Sequence, residues 1–350
     1  MDSLSQALLG AAVMAAPLPA RQRRKGLAVG AALGTLPDLD TFIVPLFTQS
    51  PVDLFTWHRG PSHALWILCL LALAVWAVAW RYSNTVRAAP RGWLLGIALA
   101  LLSHPLLDAF TVYGTQLWWP SASSPVMWAS LFIIDPLYTL PLLVAVVLAL
   151  IGGAQRWAGH ALWWGLALST LYIAWSLTAQ SLIARATRDD LQALGLEDAP
   201  RLVINTPANT LLWRIIVLQP DGYAVGYRSL FDGDVPLTLE HYPSETALLA
   251  ELAPHSADIR RLQWFTSGFT AASVQGRYLV LEDLRMGSER SGYVFGFRVA
   301  KNTAAEDAAP EWQVLQPATL APRQTDLRSR MIAEARSAWQ RILPRQGGHH

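Results

Sequence analysis

Residues 61–80, PSHALWILCLLALAVWAVAW, decide the class of this chain. Beyond His63 the stretch has no charged side chain until Arg81. Twenty residues at about 1.5 Å each match the ~30 Å hydrocarbon core of a bilayer. The reading is a transmembrane helix with Gly60 as its N-cap and Pro61 at its first position, where the missing N–H costs nothing. Composition agrees. Of 350 residues, 53% are hydrophobic and 15% charged, whereas soluble domains carry about 25% charged residues. Cys69 is the one cysteine, which excludes an internal disulfide and a multi-thiolate metal site. Nothing in the sequence points to a nucleic-acid partner, and it leaves the oligomeric state open.

Working outward, residues 3–18 read as a short apolar helix, ended by Pro17 and Pro19 and followed by Arg21, Arg23, Arg24 and Lys25. That order is the reverse of a cleavable signal sequence. Residues 26–47 are apolar except at Pro37-Asp38-Leu39-Asp40, where the proline predicts a break. Residues 93–110 form another span, carrying His104 and Asp108. Asp135-Pro136 opens a helix to residue 151, and residues 161–183 form the last span. Basic residues cluster at 21–25, 81–91 and 156, while the alternate loops 48–62 and 111–134 contain only Arg59. The positive-inside rule makes the first set cytoplasmic and everything after residue 183 external.

From residue 201 the pattern becomes alternating and turn-punctuated. Strands are expected over 201–205, 211–219, 223–230, 262–265, 278–284 and 293–299, with an amphipathic helix over 326–343. The expected fold is thus an α-helical membrane bundle of five or six transmembrane or membrane-embedded helices, followed by a smaller β-rich (α+β) extracytoplasmic domain. Its parts are a membrane region (1–184), a helical linker (185–200), a β-rich domain ending in a helix (201–343) and a disordered tail (344–350).

The chemistry-bearing residues gather at one depth: Asp38 and Asp40 on the second segment, His58 and His63 at the start of the third, His104 and Asp108 near the end of the fourth, and Asp135 at the start of the fifth. A charge within a span costs about 2.5–3.5 kcal/mol, so such groups face the bundle interior and act there. His104 and Asp108, four apart, share a helix face. His58 and His63 converge if a loop ends at Gly60. Imidazole and carboxylate without thiolate suit Zn²⁺, Mn²⁺ or Fe. The bland readings are a hydrogen-bonded histidine at each site, an N-cap for Asp135 and a solvated loop residue for Arg59; Arg59 otherwise meets an anionic group.

The runs Met1–Gly10 (MDSLSQALLG), 34–40 (GTLPDLD), 58–63 (HRGPSH), 103–108 (SHPLLD) and 111–116 (TVYGTQ) resemble the YdjM-like family over about residues 1–150. The resemblance implies a bacterial inner-membrane, metal-dependent hydrolase. Residues 283–287, with Trp213 and Trp264, resemble the exported C-terminal domain of one branch. More distantly, the motif set is similar to zinc-dependent phospholipase C, which implies a helical scaffold with several zinc ions cleaving phosphodiesters. Where many relatives carry Thr-His near the amino terminus this chain has Ser5-Gln6, and Gln is a poor zinc ligand. The leading expectation is a metal-dependent hydrolase of a lipid or envelope phosphoester. Its metal, most simply zinc, would be held by His58, His63, His104, Asp108, Asp38, Asp40 and Asp135, with Asp38, Asp40 and Arg59 in catalytic roles. Its partners are membrane lipids and a lipid-linked envelope substrate. The alternatives are a proton or metal-ion pathway and an envelope scaffold with a structural metal.

Overall fold

The computed structural model describes residues 1–305, 308–320, 339, 341 and 342, and divides into two compact units. The first comprises Met1–Phe47 and Trp57–Ser176, the second Thr48–Thr56 and the chain from Leu177 onward.

The first unit is helical. α1 (Ser3–Ala15) starts at Asp2, whose carboxylate accepts from Ser5 N and satisfies an otherwise orphaned helix-end donor. α2 (Arg23–Thr35) packs along α1 through glycines at a four-residue spacing. A Cβ on Gly30 would lie 2.3 Å from the Gly10 carbonyl oxygen, and one on Gly34 would lie 2.6 Å from that of Gln6. Only glycine permits backbones this close. Past Thr35 the chain breaks as the Pro37 signal predicts: a 3₁₀ turn (Pro37–Leu39) and α3 (Asp40–Ile43) follow, and the axis bends by 41°. α4 (Pro51–Trp57) leads to a second 3₁₀ turn at Pro61–His63.

α5 (Leu65–Tyr82) begins four residues later than expected, with Ala64 as its N-cap. Gly60 and Pro61 instead start the short turn that carries His63. α6 (Asn84–Ala88) leads into α7 (Pro90–Ala109), then a long loop, α8 (Pro136–Gly152) and α9 (Arg156–Ala186). Among the described residues, three helical stretches are long and apolar enough to cross a membrane, at Leu65–Tyr82, Pro90–Ala109 and Arg156–Ala193. The bent pair Ala20–Thr35 and Pro37–Leu46 makes a fourth if it is one span, while α1 and α8 are shorter apolar helices. The unit buries two cores, one including Leu107, Tyr138, Leu142 and Leu162, the other Met14, Leu68, Trp93, Ile97 and Leu101. At the start of α2, Arg23 Nη1 donates to the carbonyls of Gly153 (2.5 Å) and Gln155 (3.0 Å), supplying donors just past the end of α8.

In the second unit α10 (Arg188–Ala193) precedes an antiparallel sheet of β1 (Arg201–Asn205), β2 (Leu212–Gln219), β3 (Gly222–Ser229) and β4 (Glu240–Pro243), in that order. α11 (Thr246–Leu252) and α12 (Ala257–Phe265) follow. A second sheet combines β5 (Thr270–Gln275), β6 (Tyr278–Asp283), β9 (Gly296–Asn302) and β10 (Trp312–Thr319) in the order β10-β9-β6-β5, and β7 (Gly287–Ser288) with β8 (Gly292–Tyr293) makes a small ribbon. Residues 262–265, expected as a strand, are the last turn of α12. Ser256 caps that helix through Ile259 N, and Ile259, Leu262 and Phe265 bury one helical face. The expected strand over 293–299 is split, its second part running Gly296–Asn302. Apart from residues 339, 341 and 342, the expected helix over 326–343 and the tail 344–350 lie outside the described residues.

The Thr48–Thr56 segment belongs to this second unit by packing. The Phe55 ring centre lies 4.8 Å from that of Phe265, 4.6 Å from Phe295 and 5.4 Å from Phe297, and Arg261 Nε donates to Thr56 Oγ1 at 2.5 Å. Burying a phenylalanine contributes about 1.5–3 kcal/mol. Arg214 is a buried cation of this unit: burial acts to lower its pKa, but the facing Glu289 carboxylate at 2.5 Å leaves it raised.

Candidate metal centre

Four side chains from three stretches converge inside the first unit. The break after α2 supplies Asp38, the Pro61–His63 turn supplies His63, and one face of α7 supplies His104 and Asp108. One ligand atom from each lies within 4.8 Å of all the others. His63 Nε2 is 3.1 Å from His104 Nε2, 3.5 Å from Asp38 Oδ1 and 3.3 Å from Asp108 Oδ2. His104 Nε2 is 3.3 Å from Asp38 Oδ1 and 3.4 Å from Asp108 Oδ2. A tetrahedron with bonds of about 2.0–2.1 Å has edges of about 3.3–3.4 Å. Those five separations lie close to it, and the two carboxylate oxygens stand within 4.8 Å of each other.

The surroundings fix which atoms point inward. His104 Nδ1 lies 2.6 Å from the Gly34 carbonyl oxygen, one of the last carbonyls of α2 and so left without a donor from its own helix. A carbonyl only accepts, so Nδ1 carries the proton and Nε2 the lone pair. Ser62 Oγ donates its single proton to Asp40 Oδ2 at 2.6 Å and therefore accepts from His63 Nδ1 at 2.9 Å. His63 Nε2 is thus also a lone pair. Asp38 Oδ1 and Asp108 Oδ2 are buried without a hydrogen-bond partner. With both imidazoles neutral four acceptors meet, an arrangement that a cation resolves and that fits a divalent metal. The outer partners behave as those of metal ligands commonly do, each imidazole donating its other N–H to a fixed oxygen.

Asp108 is anchored by its remote oxygen. Oδ1 accepts from Gln6 Nε2 at 3.0 Å, from Arg59 Nη2 at 3.1 Å and from the Met1 amino group. Through its amide nitrogen Gln6 therefore supports Asp108, while its Oε1 is buried without a hydrogen-bond partner. Arg59, at φ +60°, is turned inward: its guanidinium also donates to Thr111 Oγ1 at 3.2 Å and lies 5.0 Å from the Tyr113 ring centre. This geometry makes Arg59 the counter-charge of Asp108, and its side chain is 7% exposed. Replacing Arg59 by Ala is expected to weaken divalent-metal binding by about 10- to 100-fold, the range for lost outer partners. Arg59→Lys, which keeps the charge, should lose less. Competition with a fluorescent zinc chelator measures both; unchanged affinity in Arg59→Ala would remove Arg59 from the site.

Not every residue expected as a ligand arrives there. His58 lies beside the cluster, its Nδ1 2.7 Å from Asp40 Oδ1. Asp40 is occupied by His58, by Arg59 N at 3.0 Å and by Ser62, so both its oxygens hold the site loop together. Asp135 is elsewhere: its Oδ1 accepts from Leu137 N and Tyr138 N, capping α8, and its Oδ2 accepts from Tyr172 at 3.0 Å. The structure thus brings Asp38, His63, His104 and Asp108 together and leaves His58, Asp40 and Asp135 outside that group. Ser62, Thr111, Tyr113 and the Gly34 carbonyl were absent from the expected set, whereas the resemblance had already singled out the position of Gln6. Only the packing of separate elements identifies the others. The cluster is most accessible at Asp38, 23% exposed, with His58 at 24% beside it.

A family model described as YdjM inner membrane protein matches residues 1–183. No curated protein and no solved structure matches the chain. The more distant likeness to zinc-dependent phospholipase C therefore gains nothing from these comparisons.

Proposed function

From the premise that this chain belongs to the YdjM inner membrane protein family, whose model covers just over half of it, we propose a membrane-embedded, metal-dependent hydrolase of phosphoesters. The observation that carries the reading is the inward-facing, donor-free set of Asp38 Oδ1, His63 Nε2, His104 Nε2 and Asp108 Oδ2 within 4.8 Å. These residues hold the ion. Zn²⁺ is the best fit to two imidazoles and two carboxylates at tetrahedral spacing, ahead of Mn²⁺ or Fe. A bound divalent cation supplies Lewis acidity and lowers the pKa of water. The protein's own part is to aim and keep the donors: Gly34 and Ser62 fix the imidazoles, Arg59 and Gln6 fix Asp108, and the helices exclude bulk water.

A lipid or lipid-linked phosphoester is the substrate class, because the cluster sits among apolar helices and opens beside Asp38. Purified protein loaded with Zn²⁺ is expected to release product from a phospholipid or a lipid-linked phosphate, and Asp38→Ala should abolish it. Turnover at the buffer rate with each substrate class would sink the hydrolase reading.

A second reading is favoured by one observation: the protein itself supplies four converging donors, the number that structural zinc sites take. On that reading the metal holds the bundle together. Removing it with a chelator would then lower the melting temperature while no substrate is turned over.

The second unit is proposed to be extracytoplasmic. Arg21, Arg24, Lys25, Arg81, Arg87, Arg91 and Arg156 are all exposed, and they occupy alternate loops as a cytoplasmic face requires. Alkaline phosphatase fused after residue 320 should be active and green fluorescent protein at the same point dark. The opposite pattern would invert the topology.

A further inference from the structure

Resting on the hydrolase reading, we propose that His58 is not a ligand of the ion but the proton carrier of the reaction, with Asp40 holding it in place. Three observations converge. The carboxylate 2.7 Å from Nδ1 fixes the tautomer, so the N–H lies on Nδ1 and the lone pair on Nε2. Among the described residues Nε2 has no protein hydrogen-bond partner, and the side chain is 24% exposed, against none for His63 and His104. The ring stands at the cluster's edge, its centre 6.1 Å from that of His63, and Tyr113 at 5.5 Å and 67° sets its plane.

The supporting carboxylate is itself immobilised, because Arg59 N and Ser62 Oγ both donate to Asp40 Oδ2. Ser62 is also the residue that orients His63. One carboxylate thus positions an inward imidazole through a hydroxyl and an outward imidazole directly. A base oriented by a third group is the arrangement that proton-transfer catalysis needs.

The step balances within the site. A water oxygen attacks phosphorus and gives a proton to His58 Nε2. The bond from phosphorus to the alcohol oxygen breaks, and Nε2 returns that proton to the departing oxygen. The imidazole ends as it began, and no oxidant or co-reactant is consumed.

The test uses the full chain in detergent, loaded with Zn²⁺, comparing wild type, His58→Gln, His58→Gly and His63→Ala. Readouts are zinc content, turnover of phosphodiesters with aryl and alkyl leaving groups, and rescue by added imidazole. His58→Gln is expected to keep the wild-type zinc content while turnover falls by about 100-fold or more, the range for general acid–base catalysis. The loss should be larger for the alkyl diester, whose oxygen most needs the proton, and imidazole should restore part of the activity of His58→Gly. Loss of zinc from His58→Gln equal to that of His63→Ala would overturn the proposal and make His58 a ligand. Undiminished turnover in His58→Gln beside an active wild type would overturn it alone. An inactive wild type would overturn the hydrolase reading and this role with it.

Discussion

Purified His104→Ala protein will hold no stoichiometric divalent metal after dialysis, while wild type retains about one ion per chain. The effect is expected to be large because His104 contributes twice. Its Nε2 lies 3.1–3.4 Å from the other three ligand atoms, so its removal leaves an incomplete set. Its Nδ1 is also bonded to the Gly34 carbonyl, so its loss frees the end of α2 from α7. Outer partners alone are worth 10- to 100-fold in affinity, and a lost ligand should exceed that, by 1.4 kcal/mol for each further tenfold. Asp135→Asn supplies the control. It removes the charge of a buried carboxylate but keeps a side chain that caps α8 about equally well, and it should retain the ion. Equal metal content in wild type and His104→Ala would eliminate the centre, and with it the reading built upon it.

The sequence carried the four ligands because each sits beside a local signal. Pro37 frees Asp38 from helical geometry, Gly60-Pro61 turns the chain at His63, and the four-residue spacing puts His104 and Asp108 on one face of α7. The same signals could not separate His58 from His63. Both flank the turn, and only the position of Asp40, bonded to His58 at 2.7 Å and to Ser62 at 2.6 Å, decides which imidazole faces the cluster. That decision is made by three-dimensional hydrogen bonding among residues 18 to 22 positions apart. For Asp135 the sequence offered a cap beside a ligand, an aspartate before proline at a helix start, and the structure uses it as a cap.

In the second unit the hairpin β2–β3 was legible, because its strands are long and meet at Asp221-Gly222. The helix Ala257–Phe265 was not taken from its pattern. Ile259, Leu262 and Phe265 recur every three residues behind the capping Ser256, a helical signature masked by the short run Leu262–Phe265 read as a strand. Strands β4, β5 and β10 were missed because short or partly exposed edge strands lack strong alternation. The glycine row on α2 was legible and unread. Gly26, Gly30 and Gly34 stand four apart, the spacing that aligns small residues along one helix face.

That row sets the second large prediction: Gly30→Leu will fail to accumulate as folded protein, or will be recovered without metal. The Cβ of any residue at Gly30 would fall 2.3 Å from the Gly10 oxygen, 2.4 Å from Met14 Cβ and 2.9 Å from Ala11 Cα. Two of these are backbone atoms of α1, so no rotamer change relieves the clash. The helices themselves must separate. Overpacking a core costs about 1–3 kcal/mol when side chains can shift, and a backbone clash exceeds that range. The damage reaches the metal centre by a short route. Moving α2 off α1 displaces the Gly34 carbonyl from His104 Nδ1 and draws Gln6, which faces Gly34 across the same contact, away from Asp108. Gly30→Ala carries the same Cβ clash without the further bulk of leucine: it should accumulate at reduced yield and bind metal more weakly. Leu73→Ala, at an exposed site on α5, should match wild type in both respects. If Gly30→Leu instead yields wild-type amounts of metal-loaded protein, the close approach of α1 and α2 does not organise the site, and the orientation of His104 must come from α7 alone.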